Sequence, residues 1–136
     1  MRLAADANVL LSALIGGRAK LVLSHAGIQE ILTVPSVLDE VHQYLSELAR
    51  KRRLPVDVLL LALAALPVTV VEREHFAGRV KEAGERIGRR DPDDVDLVAL
   101  ALHAGVSIWS NDRDFENVGV EVYPTARLLK KLGVGR

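Results

Sequence analysis

A chain of 136 residues can bury one core but not two comfortable ones, so a single domain over residues 1–136 is expected. Eighteen basic residues balance eighteen acidic ones, which excludes a global field that gathers nucleic acid and leaves such binding to local patches. The absence of cysteine excludes disulfides, thiolate metal sites and cysteine nucleophiles, and suits a reducing cytoplasm.

Leu3-Ala4-Ala5 is a short apolar run ending in Asp6 and predicts a buried first strand. Val9 to Leu14 carries helical spacing up to Gly16-Gly17, and Ala19 to His25 predicts a second short helix closed by Gly27. Ile28 to Val34 predicts a second strand, and Pro35 suits the first turn of a helix reaching about Arg53. Pro55 begins another helix through Leu66, apolar on most sides and therefore expected to be well buried. Val68 to Val71 is β-branched and predicts a third strand, followed by a charged amphipathic helix from Phe76 to about Ile87. Asp91-Pro92 opens a helix reaching Ala104, stopped by Gly105. Val106 to Trp109 and Val120 to Tyr123 predict strands four and five, and Thr125 to Leu132 a closing helix. No cationic segment followed by an apolar stretch opens the chain, so no secretory leader is expected. The longest apolar run, Val58 to Val71, is broken by Pro67 and Thr69 and is too short to span a bilayer.

Strands alternating with helices predict a three-layer α/β/α fold around a mostly parallel sheet of four or five strands. Ligands of such folds bind in the crevice beyond the carboxyl ends of the strands. Asp6 leaves strand one, Glu40 lies in the second turn of the helix after strand two, and Asp112 lies just past strand four. The helix bearing Asp94 runs antiparallel to strand four, so its start lies near that strand's end. All four acids are therefore expected on one rim. Clustered carboxylates repel one another and are costly to hold together without a cation, and hard oxygen ligands suit magnesium or manganese. Hydrolytic phosphate chemistry is the natural use of such a site.

Each acid also has a simpler explanation. Asp91, Pro92, Asp93 and Asp94 read as N-cap, first helical residue and two acids favoured by the helix dipole. Glu40 alone is a helix-surface glutamate, and Asn111-Asp112 alone a turn. Asp6 is harder to dismiss, because an acid ending a buried strand is costly unless hydrogen-bonded or bound to a cation. Capping does not predict convergence of the set. His25, His42, His75 and His103 form no pair at metal spacing, and His42 on a helix points away from Glu40. The runs Arg50 to Arg53 and Arg86 with Arg89-Arg90 are either solvated helix ends or contacts to a phosphate backbone.

Asp6 to Ser12, Val34 to Glu40, Asp91 to Asp94 running into Ala99 to Leu102, and Ile108 to Phe115 together resemble a PIN-domain ribonuclease, in order and spacing, over essentially the whole chain. The resemblance implies magnesium- or manganese-dependent cleavage of single-stranded RNA, with the family's acids at Asp6, Glu40, Asp94 and Asp112 and its hydroxyl at Ser110. Asp114 is an alternative or an addition to Asp112. Small members of this family are often VapC-type toxins with an antitoxin partner and commonly form homodimers. A haloacid-dehalogenase-type phosphatase fits less well, because it wants a second Asp where Asn8 stands and a later lysine at the rim. The rival of another class is a non-catalytic module that binds RNA or protein.

Overall fold

The structure of the protein, a computed structural model, describes residues 1–87 and 92–134. The expectations placed on Arg89, Arg90, Asp91 and the Asp93 side chain lie outside the described residues. Five short strands form one sheet: β1 Arg2–Ala5, β2 Glu30–Thr33, β3 Val68–Val70, β4 Ser107–Trp109 and β5 Val122–Tyr123. Their order is β3-β2-β1-β4-β5 and every pairing is parallel, which makes this an α/β fold of the predicted kind.

β1 is central, and Leu3, Ala4 and Ala5 are fully buried because helices cover both faces of the sheet. Its register sets Leu3 opposite Ile31 on one side and Ala5 opposite Trp109 on the other. The Thr33 hydroxyl donates to the Ala5 carbonyl at 2.9 Å, which satisfies a buried acceptor where the strand ends.

The helices are α1 Ala7–Leu14, α2 Arg18–Leu23, α3 Pro35–Arg52, α4 Val56–Ala65, α5 Arg73–Phe76, α6 Val80–Ile87, α7 Pro92–Ala104 and α8 Thr125–Lys131. Right-handed crossovers from β1 to β2 to β3 place α1 to α4 on one face. The return from β3 to β4 places α5 to α7 on the other. The contacts agree: α1 packs on α2 and α3, α3 on α4, and α2 on α8, while α7 packs on α5 and α6. Among the described residues no helix is long and apolar enough to cross a membrane.

Two expectations need correction. Helix α4 is not well buried: Leu59 is inserted into the core, but Leu61 is 72% exposed and Val56, Val58 and Leu60 also face outward. An apolar stretch hydrophobic on every side carries no mark of which side meets a partner, and α4 lies over the edge of the helix layer, against α3 and α1. The helix expected from Phe76 to Ile87 is interrupted. Phe76 ends α5 fully buried, Ala77–Arg79 form one 3-10 turn, and α6 begins at Val80. Gly78, a poor helix former, lies inside the turn, and Arg79 donates to the Leu102 carbonyl at 3.4 Å, which ties the turn to α7.

Candidate active site

The chain leaves β1 towards β2 on one side, while β4 and β5 lie on the other. The carboxyl ends of β1 and β4 therefore flank the point where strand order reverses, where open α/β sheets bind ligands. Asp6 and Ser110 are the residues that follow those two strands, and both are almost fully buried. Asp6 caps α1, with Oδ1 accepting the Val9 N–H at 3.0 Å. Its Oδ2 accepts the Ser110 hydroxyl, and Ser110 Oγ in turn accepts the Asp112 N–H at 2.9 Å. One serine thus links the acid after β1 to the acid after β4. Burial pushes the Asp6 carboxyl above its ordinary range, aided by the Asp112 charge and opposed by the bonds from Ser110 and Val9.

Asp112 caps a 3-10 turn, Arg113–Phe115, with Oδ1 accepting the Asp114 N–H at 2.8 Å. Phe115 anchors the turn in the core, and the tight wind holds Asp114 beside Asp112. The carboxyls of Asp94, Asp112 and Asp114 offer oxygens that all lie within 4.8 Å of one another. Those three acids, with Asp6, Glu40 and Asn8, line a single cavity of about 190 Å³. The expected convergence of Asp6, Glu40, Asp94 and Asp112 on one rim is therefore what the fold produces. Asp6 and Glu40 border the cavity without belonging to the close trio.

The donor set is made of oxygens, chiefly carboxylates, which fits a hard divalent ion such as magnesium or manganese. Three like charges this close repel unless a cation or a proton intervenes. Asp96, two residues from Asp94, is instead drawn to Arg73 at 3.5 Å. Asp114 and Asp112 both line the cavity, with carboxyl oxygens close to each other. The signal for Asp114 was the Asn-Asp-x-Asp spacing, which a capped turn folds onto one side.

Other polar residues are structural. Asn111 Oδ1 accepts the Thr125 N–H at 2.8 Å and holds the start of α8. His42 Nδ1 meets the Leu38 carbonyl at 2.9 Å, and His42 does not line the cavity. Arg86 pairs with Glu82 at 3.1 Å and donates to the Val118 carbonyl at 3.3 Å, so it serves as a latch to that loop.

No curated protein matches the chain. Among solved structures it is similar to PAE2754 from Pyrobaculum aerophilum, with TM-score 0.72 and 17% identity over 98% of this chain and 90% of that one. It is also similar to a toxin-antitoxin complex from Klebsiella pneumoniae, with TM-score 0.66 and 17% identity over 90% and 97% of the respective chains. A third is VapBC2 from Rickettsia felis bound to a DNA fragment from its promoter, with TM-score 0.64 and 13% identity over 91% and 98%. At these identities the likeness is one of fold. The family model described as PIN domain matches residues 5–133, from the end of β1 past the end of α8. Membership of that family supports a nuclease, and hence a hydrolase. A match across nearly the whole chain decides the assignment: the protein belongs to the PIN-domain family.

Proposed function

We propose that the protein is a divalent-metal-dependent endoribonuclease that hydrolyses phosphodiester bonds in single-stranded RNA. The observation that carries this reading is the trio Asp94, Asp112 and Asp114, with mutual oxygen distances within 4.8 Å, in the cavity that Asp6 and Glu40 also line. Asp6, Asp94 and Asp112, with Asp114 beside them, would hold magnesium or manganese, and Glu40 would be a ligand or orient the attacking water. A bound ion lowers the pKa of water towards neutrality and offsets charge developing on the phosphoryl oxygens. Ser110 fixes the rotamer of Asp6 through its hydroxyl, a kind of support whose loss costs about 10- to 100-fold in metal affinity or activity.

Incubation with a mixed-sequence single-stranded RNA pool tests the reading. Cleavage is expected with manganese or magnesium and none with EDTA. Absence of both cleavage and divalent-ion binding by calorimetry would sink it in favour of a binding module.

A protein partner belongs to the same reading, either an antitoxin or a second copy in a homodimer. One similar structure is a toxin-antitoxin complex, and the outward side of α4 exposes Val58, Leu60 and Leu61. Val58 and Leu61, three residues apart, share one side of the helix, and an exposed apolar patch commonly marks an interface. Light scattering should give twice the 14.8 kDa chain mass for a homodimer, falling to one chain for Leu61→Asp. A wild-type monomer would remove the homodimer. A cytoplasmic setting, suited to a chain without cysteine, completes the proposal.

A further inference from the structure

We infer that the cleft leading from the acidic cavity along α3 is a nucleobase subsite, and that Tyr44 stacks on the base of a nucleotide next to the scissile phosphate. The inference rests on the RNA-nuclease reading above. It begins with helical spacing: Tyr44 follows Glu40 by four residues, Glu47 and Leu48 follow Tyr44 by three and four, and Lys51 follows them by four and three, so they share one stripe of α3. With Asn8 and Leu11 of α1 they line a second cleft of about 350 Å³. Asn8 and Glu40 line both cavities, so the cleft opens directly from the acids.

Its chemistry suits a base. A volume of about 350 Å³ is at the lower end of the roughly 300–1,000 Å³ typical of small-molecule pockets. Tyr44 presents an aromatic side chain, 46% exposed, to this cleft. Leu11 and Leu48 give apolar walls, and the Asn8 amide offers a donor and an acceptor to a base edge. A π-face with a polar edge is what single-stranded nucleic acid uses.

The charges permit it. Glu47 is paired with Lys51 at 3.3 Å, so the far end of the cleft carries no uncompensated acid. One helical turn, about 6 Å of rise, separates Tyr44 from Glu40 along α3, which suits a base on a nucleotide adjoining the one at the acids. Lys51 stands at the far mouth, where α3 ends in the run Arg50, Lys51 and Arg52. Cations there can meet the phosphates that follow. Tyr44 is thus a positioning residue for substrate.

The test is fluorescence anisotropy of a labelled twelve-nucleotide mixed-sequence RNA with manganese. An Asp94→Asn parent is used so that the probe stays intact. Added Tyr44→Ala should weaken binding roughly 5- to 150-fold, the range that loss of one base stack produces. Tyr44→Phe should bind like the parent, and Tyr44→Leu like the alanine variant, since leucine keeps apolar bulk without a ring. Manganese affinity by calorimetry should not change among them. RNA binding by Tyr44→Ala equal to the parent, or by Tyr44→Leu equal to Tyr44→Phe, overturns the subsite and leaves the nuclease reading standing. If neither the parent nor the wild-type chain binds RNA under any ion condition, the RNA reading falls and the subsite with it.

Discussion

Asp94→Asn is expected to lower RNA cleavage by at least about 10³-fold while leaving the melting temperature in EDTA undiminished. The first effect follows from removing one anionic oxygen donor of the trio. A catalytic metal supplies several kcal/mol of transition-state stabilisation, and each 1.36 kcal/mol is a factor of ten. The second follows from shape and charge. Asparagine has the same outline, the core face of α7 from Leu97 to Ala101 is untouched, and one of three mutually repelling charges is gone. Asp96→Asn is the matched control on the same helix. It gives up an ion pair to a largely exposed Arg73 at 3.5 Å, which is worth no more than about 1 kcal/mol, and should keep full activity. Cleavage rates at saturating manganese and thermal melts in EDTA decide the matter. Wild-type turnover in Asp94→Asn would remove Asp94 from the site, and a sharp drop in its EDTA melt would make the residue structural instead.

The contrast between Asp94 and Asp96 marks how far sequence could carry the site. Hydrophobic patterning gave every strand, because β1 and β4 are buried on both faces and read as short apolar runs. Parallel topology then obliged their carboxyl ends to share a rim, so the meeting of Asp6, Glu40, Asp94 and Asp112 could be argued without coordinates. What could not be read was anything fixed by a tertiary contact. The role of Asp96 is set by Arg73, which belongs to another helix. The place of Asp114 beside Asp112 at the cavity depends on a 3-10 turn capped by Asp112 and pinned by Phe115. Arg86 looked like part of a basic patch, yet it is spent on Glu82 and the Val118 carbonyl. The exposure of α4 was hidden for the opposite reason: a helix apolar on all sides has no amphipathic phase to read, so composition pointed to burial that the packing does not provide.

The same buried acid that organises the site should also make the metal-free protein less stable than it would be without it. Burial, first, and the neighbouring Asp112 charge raise the Asp6 pKa above its ordinary value of 3.8. The folded state therefore holds the Asp6 proton more tightly than the unfolded chain does. The stability this contributes is full below the unfolded value and is lost as pH rises through the higher folded one. Above the unfolded value burial of Asp6 therefore costs stability, and Asp6→Asn should melt higher than wild type in EDTA at neutral pH. Asparagine keeps an oxygen for the Val9 N–H, and its amide can donate to Ser110 Oγ in place of the present bond. The advantage should vanish as pH falls below the unfolded value, where Asp6 is protonated in both states. Manganese should invert the order. At a hundredfold excess over its dissociation constant, a ligand bound only by the folded state adds about 2.7 kcal/mol, roughly 10 °C for a domain of this size. Asp6→Asn should forfeit most of that gain. Melts of both proteins across pH, with and without manganese, test the whole argument. Equal melting of the two at neutral pH in EDTA would mean that the Ser110 and Val9 bonds already offset the burial. A manganese shift of the same size in both would mean that Asp6 helps build the pocket without holding the ion.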